Sequence, residues 1–177
     1  IVGGDHPVVL ADVRAERLDA AAAALADLGI TPTVIDCDVT DRQAVIRLFE
    51  VAAALGPIGS VIHTAGVSPS MGSADYVLRT NALGTLNVNE VFFNSAADGA
   101  AIVNVASMAA HLLPDELVPT RHFDLALSDE QRFLAELLAA CDIAGDRMRP
   151  GLAYGVSKAF VRWYSCAQAE RFAGRGL

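Results

Sequence analysis

Tyr154 and Lys158 stand four residues apart in the segment Tyr-Gly-Val-Ser-Lys, a spacing that places both side chains on one face of a helix. A tyrosine hydroxyl ordinarily ionises at a pH of about 10, which is too high for useful proton exchange at neutral pH. A cation held beside such a ring favours the phenolate and makes it a usable general acid or base. The pair alone also fits an amphipathic helix with a snorkelling lysine, so the preceding segments decide between the two readings.

Four short apolar segments precede this pair, and each is predicted to be a β-strand that ends in polar or small residues. They lie at 8–12, 34–40, 60–66 and 101–107, with helical patterns at about 16–28 and from the low forties to about residue 55. Strands that alternate with helices at this spacing predict an α/β fold with a doubly wound parallel sheet. Ligands of such sheets bind at the carboxyl ends of the strands.

Candidate functional residues follow two of these strands. Asp12 ends the first, and an acid at the tip of the second strand of a dinucleotide-binding fold accepts hydrogen bonds from the adenosine ribose. Taken alone, Asp12 would also suit a helix N-cap. Ser107 places a hydroxyl at the end of the fourth segment.

The sequences at 40–43 and 128–131 carry the pattern of a capping box and predict two helix starts.

With its motifs in this order, the chain resembles the short-chain dehydrogenase/reductase family over nearly its whole length. The resemblance implies a Rossmann-like fold, NAD as cofactor, and a small alcohol or carbonyl compound as substrate. It implies that Tyr154 exchanges the proton, that Ser107 donates to the reacting oxygen, and that Lys158 also bonds the nicotinamide ribose. Asn81 matches the family's asparagine that holds a water molecule linking the lysine to solvent. The implied cofactor-binding residues are Asp12, Asp38, Val39, Thr64, Ala65, Gly66, Tyr154 and Lys158.

Two stretches that the family possesses are missing from this sequence. The Gly-rich loop Thr-Gly-x-x-x-Gly-x-Gly does not occur, and residues 1–6 read as the end of the helix that should follow it. The chain stops at Leu177, before the family's later strands and substrate lid. We therefore expect residues 1–177 to be a partial NAD-binding domain that lacks its first strand and its C-terminal strands. Without the loop, it is not expected to cradle a pyrophosphate in the family's manner.

A long insertion separates Ser107 from Tyr154, where the resemblance implies about a dozen residues. We assign a helical insertion to about 111–149. An apolar stripe with helical spacing runs along it and consists of Phe133, Leu134, Leu137, Leu138 and Cys141. This stripe predicts ordinary helix packing on the domain rather than a wall of the ligand site. Prolines and glycines at 114, 119, 145, 150 and 151 predict loops. Because both ends emerge beside catalytic residues, the insertion is expected to roof the substrate site, with a brace or an oligomer interface as the alternative.

Three functions stay open at this point. The segment around Ser107 and the insertion resemble the bacterial 3α-hydroxysteroid dehydrogenase/carbonyl reductase branch, which implies a steroid-like or other hydrophobic carbonyl substrate. His63-Thr64-Ala65 and the segment 81–87 also resemble extended family members that act on nucleotide sugars as epimerases or dehydratases. The third possibility is a dinucleotide-binding module without catalysis.

Composition narrows the classes of partner. The chain has 177 residues, 53% of them hydrophobic, and a formal net charge of −8, which disfavours nucleic acid and anionic membranes. Its three cysteines form no motif and suit a reduced, cytoplasmic setting. None of the four histidines has metal-ligand spacing, so no metal is expected. A homodimer or homotetramer is the expected assembly.

Overall fold

The structure is a computed structural model that describes residues 6–177. The helix end predicted at residues 1–6 thus lies, except for His6, outside the described residues. The strands are β1 (Val9–Asp12), β2 (Thr33–Asp36), β3 (Ser60–His63) and β4 (Ala101–Asn104). The helices are α1 (Ala15–Ala26), α2 (Arg42–Leu55), α3 (Ala74–Leu78), α4 (Gly84–Ser95), α5 (Glu130–Ala140), α6 (Gly145–Ala167) and α7 (Ala169–Gly174).

The four strands pair in parallel, as predicted, but they form two separate sheets. β1 pairs with β2 from Val9 opposite Thr33, and β3 pairs with β4 from Ser60 opposite Ala101. The usual strand order of a dinucleotide-binding sheet is 3-2-1-4-5-6, in which these pairs occupy positions 3-2 and 4-5. Position 1 has no strand within residues 6–177, and this agrees with the expected lack of the first strand.

One core lies where α2 and α4 cover the β3–β4 pair. Val45 and Phe92 are fully buried there, and the alternating burial along β3 and β4 faces Val61 and Ile102 toward this core. The opposite faces of these strands carry Ile62 and Val103, which are more than half exposed. Each strand therefore buries one face against helices of this chain.

The larger core joins α3, α5 and α6. Phe160 of α6 lies at its centre, with its ring 4.7 Å from that of Phe133 and 5.4 Å from that of Phe123 between centroids. Phe123 and Phe133 belong to the insertion, and so does the fully buried Leu137. The predicted apolar stripe thus packs on the domain, and the insertion supplies much of the core beneath α6.

A buried ionic group fixes the far end of α6. The Glu90 carboxylate of α4 accepts two hydrogen bonds from the Arg171 guanidinium, at 2.7 and 2.8 Å, and a third from the Tyr164 hydroxyl. The guanidinium also lies 3.9 Å above the centre of the Phe93 ring. Burial alone would raise the pKa of Glu90, but the hydrogen bonds from Arg171 and Tyr164 outweigh it and hold the pKa below its ordinary value. The group therefore ties α4, α6 and α7 together as a charged pair.

Three local predictions need correction. Both capping patterns are shifted by one residue: Asp41 caps α2 by accepting from the Gln43 amide, and Asp129 caps α5 by accepting from the Arg132 amide. The helix starts one residue later because an aspartate is at least as good an N-cap as the threonine or serine before it. Gly145, Pro150 and Gly151 were predicted in loops but lie within α6. Core burial from Leu152 onward holds that helix although Pro150 donates no backbone hydrogen bond.

Leu137→Ala tests whether the insertion carries the core. We expect the free energy of unfolding in urea to fall by about 2–5 kcal/mol, because the substitution leaves a cavity beside α6. Leu134→Ala is the matched control: the same side chain in the same helix, but only half-buried, and its loss should be clearly smaller. Equal losses at the two positions would contradict the packing described here.

Candidate active site

The carboxyl ends of the strands and one face of α6 bring most of the predicted residues to one edge of the fold. Thr64, Ala65 and Gly66 follow β3 directly, and Ser107 follows β4 after a two-residue step. Tyr154 is half-buried in α6, and Lys158, one turn later, is buried. Asp12 is the last residue of β1, and Asp38 comes two residues after β2, so both lie at the carboxyl ends of the other strand pair.

Asn81 lies in a π-helical turn, Arg79–Leu83, between α3 and α4, and is 1% exposed. Its amide group bonds the loop after β3 twice: Oδ1 accepts from the Val67 amide at 2.8 Å, and Nδ2 donates to the Val67 carbonyl at 3.0 Å. Nδ2 also donates to the Ser157 hydroxyl at 3.2 Å, and this hydroxyl donates to the Tyr154 carbonyl at 2.8 Å. The Asn81 side chain therefore joins the loop after Gly66 to the helix of Tyr154. Single π turns of this kind are frequent at functional sites.

Lys158 is the only lysine in the chain. Its ammonium donates to the Val105 carbonyl at 3.1 Å and lies 6.0 Å from the centre of the Tyr154 ring. Burial lowers the pKa of the amine, because desolvation penalises its charged form. An ammonium has three N–H donors, so two remain for a ligand that approaches from this edge.

The backbone at Gly66 passes very close to these groups. A Cβ atom added there would lie 3.1 Å from Asn81 Oδ1 and 3.5 Å from Lys158 Nζ. Any larger residue would push against the amide that holds the site together. The glycine thus allows the main chain to lie this close to the side chains of Asn81 and Lys158.

Ser107 caps a short 3₁₀ helix, Met108–His111, by accepting from the Ala109 amide at 3.2 Å. This bond uses a lone pair and leaves the hydroxyl proton free to be donated to a substrate oxygen. Two large apolar side chains beside it are exposed: Met108 is 79% and Leu112 is 73% exposed. The surface next to Ser107 is therefore apolar.

The insertion contacts the helix of Tyr154 directly. A Cβ atom added at Gly155 would lie 2.7 Å from Cδ1 of Leu113, which is far too close for a real contact. Leu113 can therefore rest on α6 beside Tyr154 only because residue 155 is glycine. This contact places the start of the insertion against α6 next to Tyr154.

The two acids at the ends of β1 and β2 are engaged by local backbone. Asp12 Oδ1 accepts from the Arg14 amide at 2.9 Å, and its other oxygen lies 3.8 Å from Arg17 Nη1. Asp38 Oδ1 accepts from the Thr40 amide at 2.8 Å. Each carboxylate keeps lone pairs for a further donor.

Asn87 of α4 was missed by sequence reasoning, although it steadies the loop that carries Val39. Its Nδ2 donates to the Val39 carbonyl at 2.9 Å. Gly84 of the same helix comes so close that an added Cβ would lie 2.6 Å from Val39 Cγ2. The Asn-Ala-Leu-Gly-Thr-Leu-Asn run at 81–87 is rich in small and amide residues, and that unusual helix composition was the available signal.

These donors and acceptors fit a nicotinamide dinucleotide. The two spare N–H groups of Lys158 and the close main chain at Gly66 suit a ribose with vicinal hydroxyls, and the Asp12 carboxylate suits a second ribose.

Within residues 6–177, no group of three His, Cys, Asp or Glu side chains is arranged to hold a metal ion. In the same range, no helix is both long and apolar enough to cross a membrane.

Comparison with known proteins decides the family. Residues 2–117 match the family described as short chain dehydrogenase. The chain belongs to this family. The match ends inside the insertion, so Tyr154 and Lys158 lie beyond it.

Among relatives of this short-chain dehydrogenase, a phenolphthiocerol synthesis polyketide synthase of Mycobacterium bovis is 35% identical over 118 residues, covering 60% of the chain and 6% of that protein. A solved structure of a 7α-hydroxysteroid dehydrogenase, complexed with NADH and 7-oxo glycochenodeoxycholic acid, is similar to this chain with a TM-score of 0.68 and 17% identity. The match covers 96% of this chain and 56% of the dehydrogenase chain. A solved structure of a Burkholderia cenocepacia short chain dehydrogenase in complex with NADP is similar with a TM-score of 0.66 and 21% identity. This match covers 96% of this chain and 60% of the Burkholderia chain. The chain spans less than two thirds of each of these proteins.

The single lysine allows a direct test of the site's electrostatics. We expect the ¹³Cε resonance of Lys158 to titrate below the ordinary lysine value of about 10.4, because the amine is buried with one protein acceptor. A lowered folded pKa means that the charged amine costs stability at neutral pH, and that this cost decreases as the pH rises from the folded pKa to the higher unfolded pKa. The same resonance in the urea-unfolded chain is the internal reference. An identical titration in both states would show that the amine is solvated.

Proposed function

We propose that the protein transfers a hydride between NAD(H) and an alcohol or ketone, with Tyr154 as general acid and base. The observation that carries the proposal is the buried lysine one turn after Tyr154, bonded to the main chain two residues before Ser107. A buried ammonium is costly and is kept where charge is used. The residues that would hold the dinucleotide are Asp12, Asp38, Val39, Thr64, Ala65, Gly66, Tyr154 and Lys158.

The chemistry divides simply among the groups. A bound nicotinamide dinucleotide supplies or accepts the hydride. As a ketone is reduced, negative charge grows on its oxygen, where Ser107 donates a hydrogen bond and Tyr154 delivers the proton. In oxidation Tyr154 takes the proton back from the alcohol. Lys158 stabilises negative charge on the phenol oxygen, and Asn81 holds the water through which Lys158 exchanges protons with solvent.

A hydrophobic carbonyl compound is the proposed substrate. Support comes from the exposed Met108 and Leu112 beside Ser107, since an apolar substrate would bury this surface on binding. Leu113, held against Gly155, would border the same space. The hydroxysteroid dehydrogenase with a similar fold acts as a precedent for a steroid-like ligand.

Reduction of a ketone carried by a polyketide synthase is a second candidate. It is favoured by the 35% identity over 118 residues to part of such a synthase. A β-ketoacyl thioester and a free cyclic ketone, assayed side by side, separate the two. Turnover of the thioester alone would favour this second candidate.

Assembly and setting belong to the proposal as well. The proposed assembly is a homodimer or homotetramer that acts on a small molecule. The cytoplasm is the proposed location, and the free thiols of Cys37, Cys141 and Cys166 are consistent with a reducing compartment. Sedimentation of the full chain measures the assembly.

The Asp12 carboxylate should make the enzyme prefer NAD(H) to NADP(H). A 2′-phosphate placed there would face a like charge at short range, although Arg14 and Arg17 lie nearby as opposing groups. We expect a higher kcat/KM with NADH, and a smaller preference in Asp12→Asn. Asp19→Asn, which changes an exposed acid in the second turn of α1, is the control. Better turnover with NADPH in the unmodified chain would refute the assignment.

Tyr154→Phe should reduce kcat by about 10²–10⁴-fold, because it deletes the proton donor and little else. Dissociation constants for NADH, measured by fluorescence, should remain close to those of the unmodified chain. Tyr76→Phe is the control, because Tyr76 lies on α3 and is 41% exposed.

Activity assays of Tyr154→Phe and of the unmodified chain together separate the alternatives. Retained ketone reduction in Tyr154→Phe would remove Tyr154 from the mechanism. Dinucleotide binding without turnover of any alcohol, ketone or thioester would favour the non-catalytic module. Turnover of a nucleotide sugar without net change in NADH would favour the epimerase.

A further inference from the structure

His63 is a buried histidine that the mechanism does not use. It is the last residue of β3, stands directly before Thr64-Ala65-Gly66, and is 6% exposed. Its carbonyl accepts from the Val105 amide at 3.0 Å, and the Val105 carbonyl accepts from Lys158 at 3.1 Å. Its ring Nε2 lies 3.1 Å from the Thr85 hydroxyl of α4.

Hydrogen counting fixes the direction of the bond between these two side chains. The Thr85 hydroxyl has one hydrogen, and it donates this hydrogen to the Asn81 carbonyl at 2.7 Å. The Thr85 oxygen can therefore only accept from His63, so the hydrogen must be on Nε2. Burial, and then the charge of Lys158, lower the pKa of His63 to about 4. The ring is thus neutral at physiological pH, and its Nδ1 carries no hydrogen.

A continuous series of hydrogen bonds runs from this ring to the catalytic helix. Thr85 holds the carbonyl of Asn81, whose own side chain bonds Ser157, and Ser157 donates to the Tyr154 carbonyl. Asn81 lies in the π turn Arg79–Leu83, where the regular i→i+4 ladder is interrupted. An added bond to its carbonyl therefore fixes a part of the backbone that the helix alone would hold less firmly.

We propose that His63 is a positioning residue of this active site. As a neutral Nε2–H donor it orients Thr85, which holds Asn81 and, through Asn81 and Ser157, the turn of α6 that carries Tyr154 and Lys158. The proposal rests on the proposed hydride transfer for what these groups do once positioned. The carbonyl of Asn81 has a second lone pair, so Thr85 does not block the water assigned to it.

The protonation of His63 can be read without any activity. Long-range ¹H–¹⁵N spectra of the full chain at pH 7 should show a hydrogen on Nε2 of His63 and none on Nδ1, with the resonances assigned by their loss in His63→Gln. Spectra recorded at lower pH should show no titration of His63 down to about pH 5.5, since its pKa is about 4. His111, which is exposed, supplies a second histidine spectrum in the same sample for assignment. Hydrogen on Nδ1 of His63, or a His63 titration midpoint above pH 5.5, would overturn the proposal.

Paired substitutions test the positioning itself. His63→Leu and Thr85→Val should each lower kcat by about tenfold or more, because small displacements of catalytic groups are costly, with little change in KM. His63→Gln and Thr85→Ser, which can restore a donor and a hydroxyl, should recover most of the loss. A wild-type kcat in His63→Leu, or equal losses in His63→Leu and His63→Gln, would contradict the role.

A spectroscopic readout separates this proposal from the proposed function. The single lysine resonance should shift in His63→Leu and return toward its original position in His63→Gln. If the unmodified chain reduces no ketone, the proposed function fails, but this resonance still decides whether His63 positions Lys158. An unmoved resonance in an active enzyme would overturn the positioning role alone.

Discussion

The hydrogen bonds of one buried side-chain amide hold the site together. Asn81 uses its oxygen and both N–H groups on Val67 and Ser157, so neither N–H is left over for an alternative arrangement. Leaving such a group unsatisfied costs about 1–3 kcal/mol. The loop after β3, the π turn and α6 are therefore linked by a bond set that breaks if any one of them shifts. The small residue at position 66 and the buried Ser157 both follow from this requirement.

The insertion holds α6 from the other side. Leu113 rests on Gly155, and Phe123, Phe133 and Leu137 fill the space beneath Phe160. The stretch that separates Ser107 from Tyr154 is thus structural support for α6. Removing it would uncover the core, so a role as a simple lid does not describe its packing.

The sequence predicted the parts of this site that depend on local pattern. Alternating strands and helices predicted the parallel pairs, and the ordered motifs predicted the family. The π turn at Asn81 was not predictable, because its bonds reach Val67 and Ser157, which lie 14 and 76 residues away. The contact of His63 was not predictable for the same reason: its partner, Thr85, lies on another element. Pro150 suggested a loop by local rule, and only the burial of the residues after it explains its place in α6.

Two charged groups contact α6, and they differ in how well hydrogen bonds compensate their burial. Lys158 is buried with one protein acceptor, and its lowered pKa records a cost to the folded state. Six residues further on, Tyr164 joins Arg171 in satisfying Glu90 with three hydrogen bonds. Solvent screens part of the Glu90–Arg171 attraction, because the Arg171 side chain is about one third exposed. The hydroxyl of Tyr164 is bonded to the same carboxylate and its side chain is buried, so this end of α6 is held to α4 by a bond that the solvent does not reach.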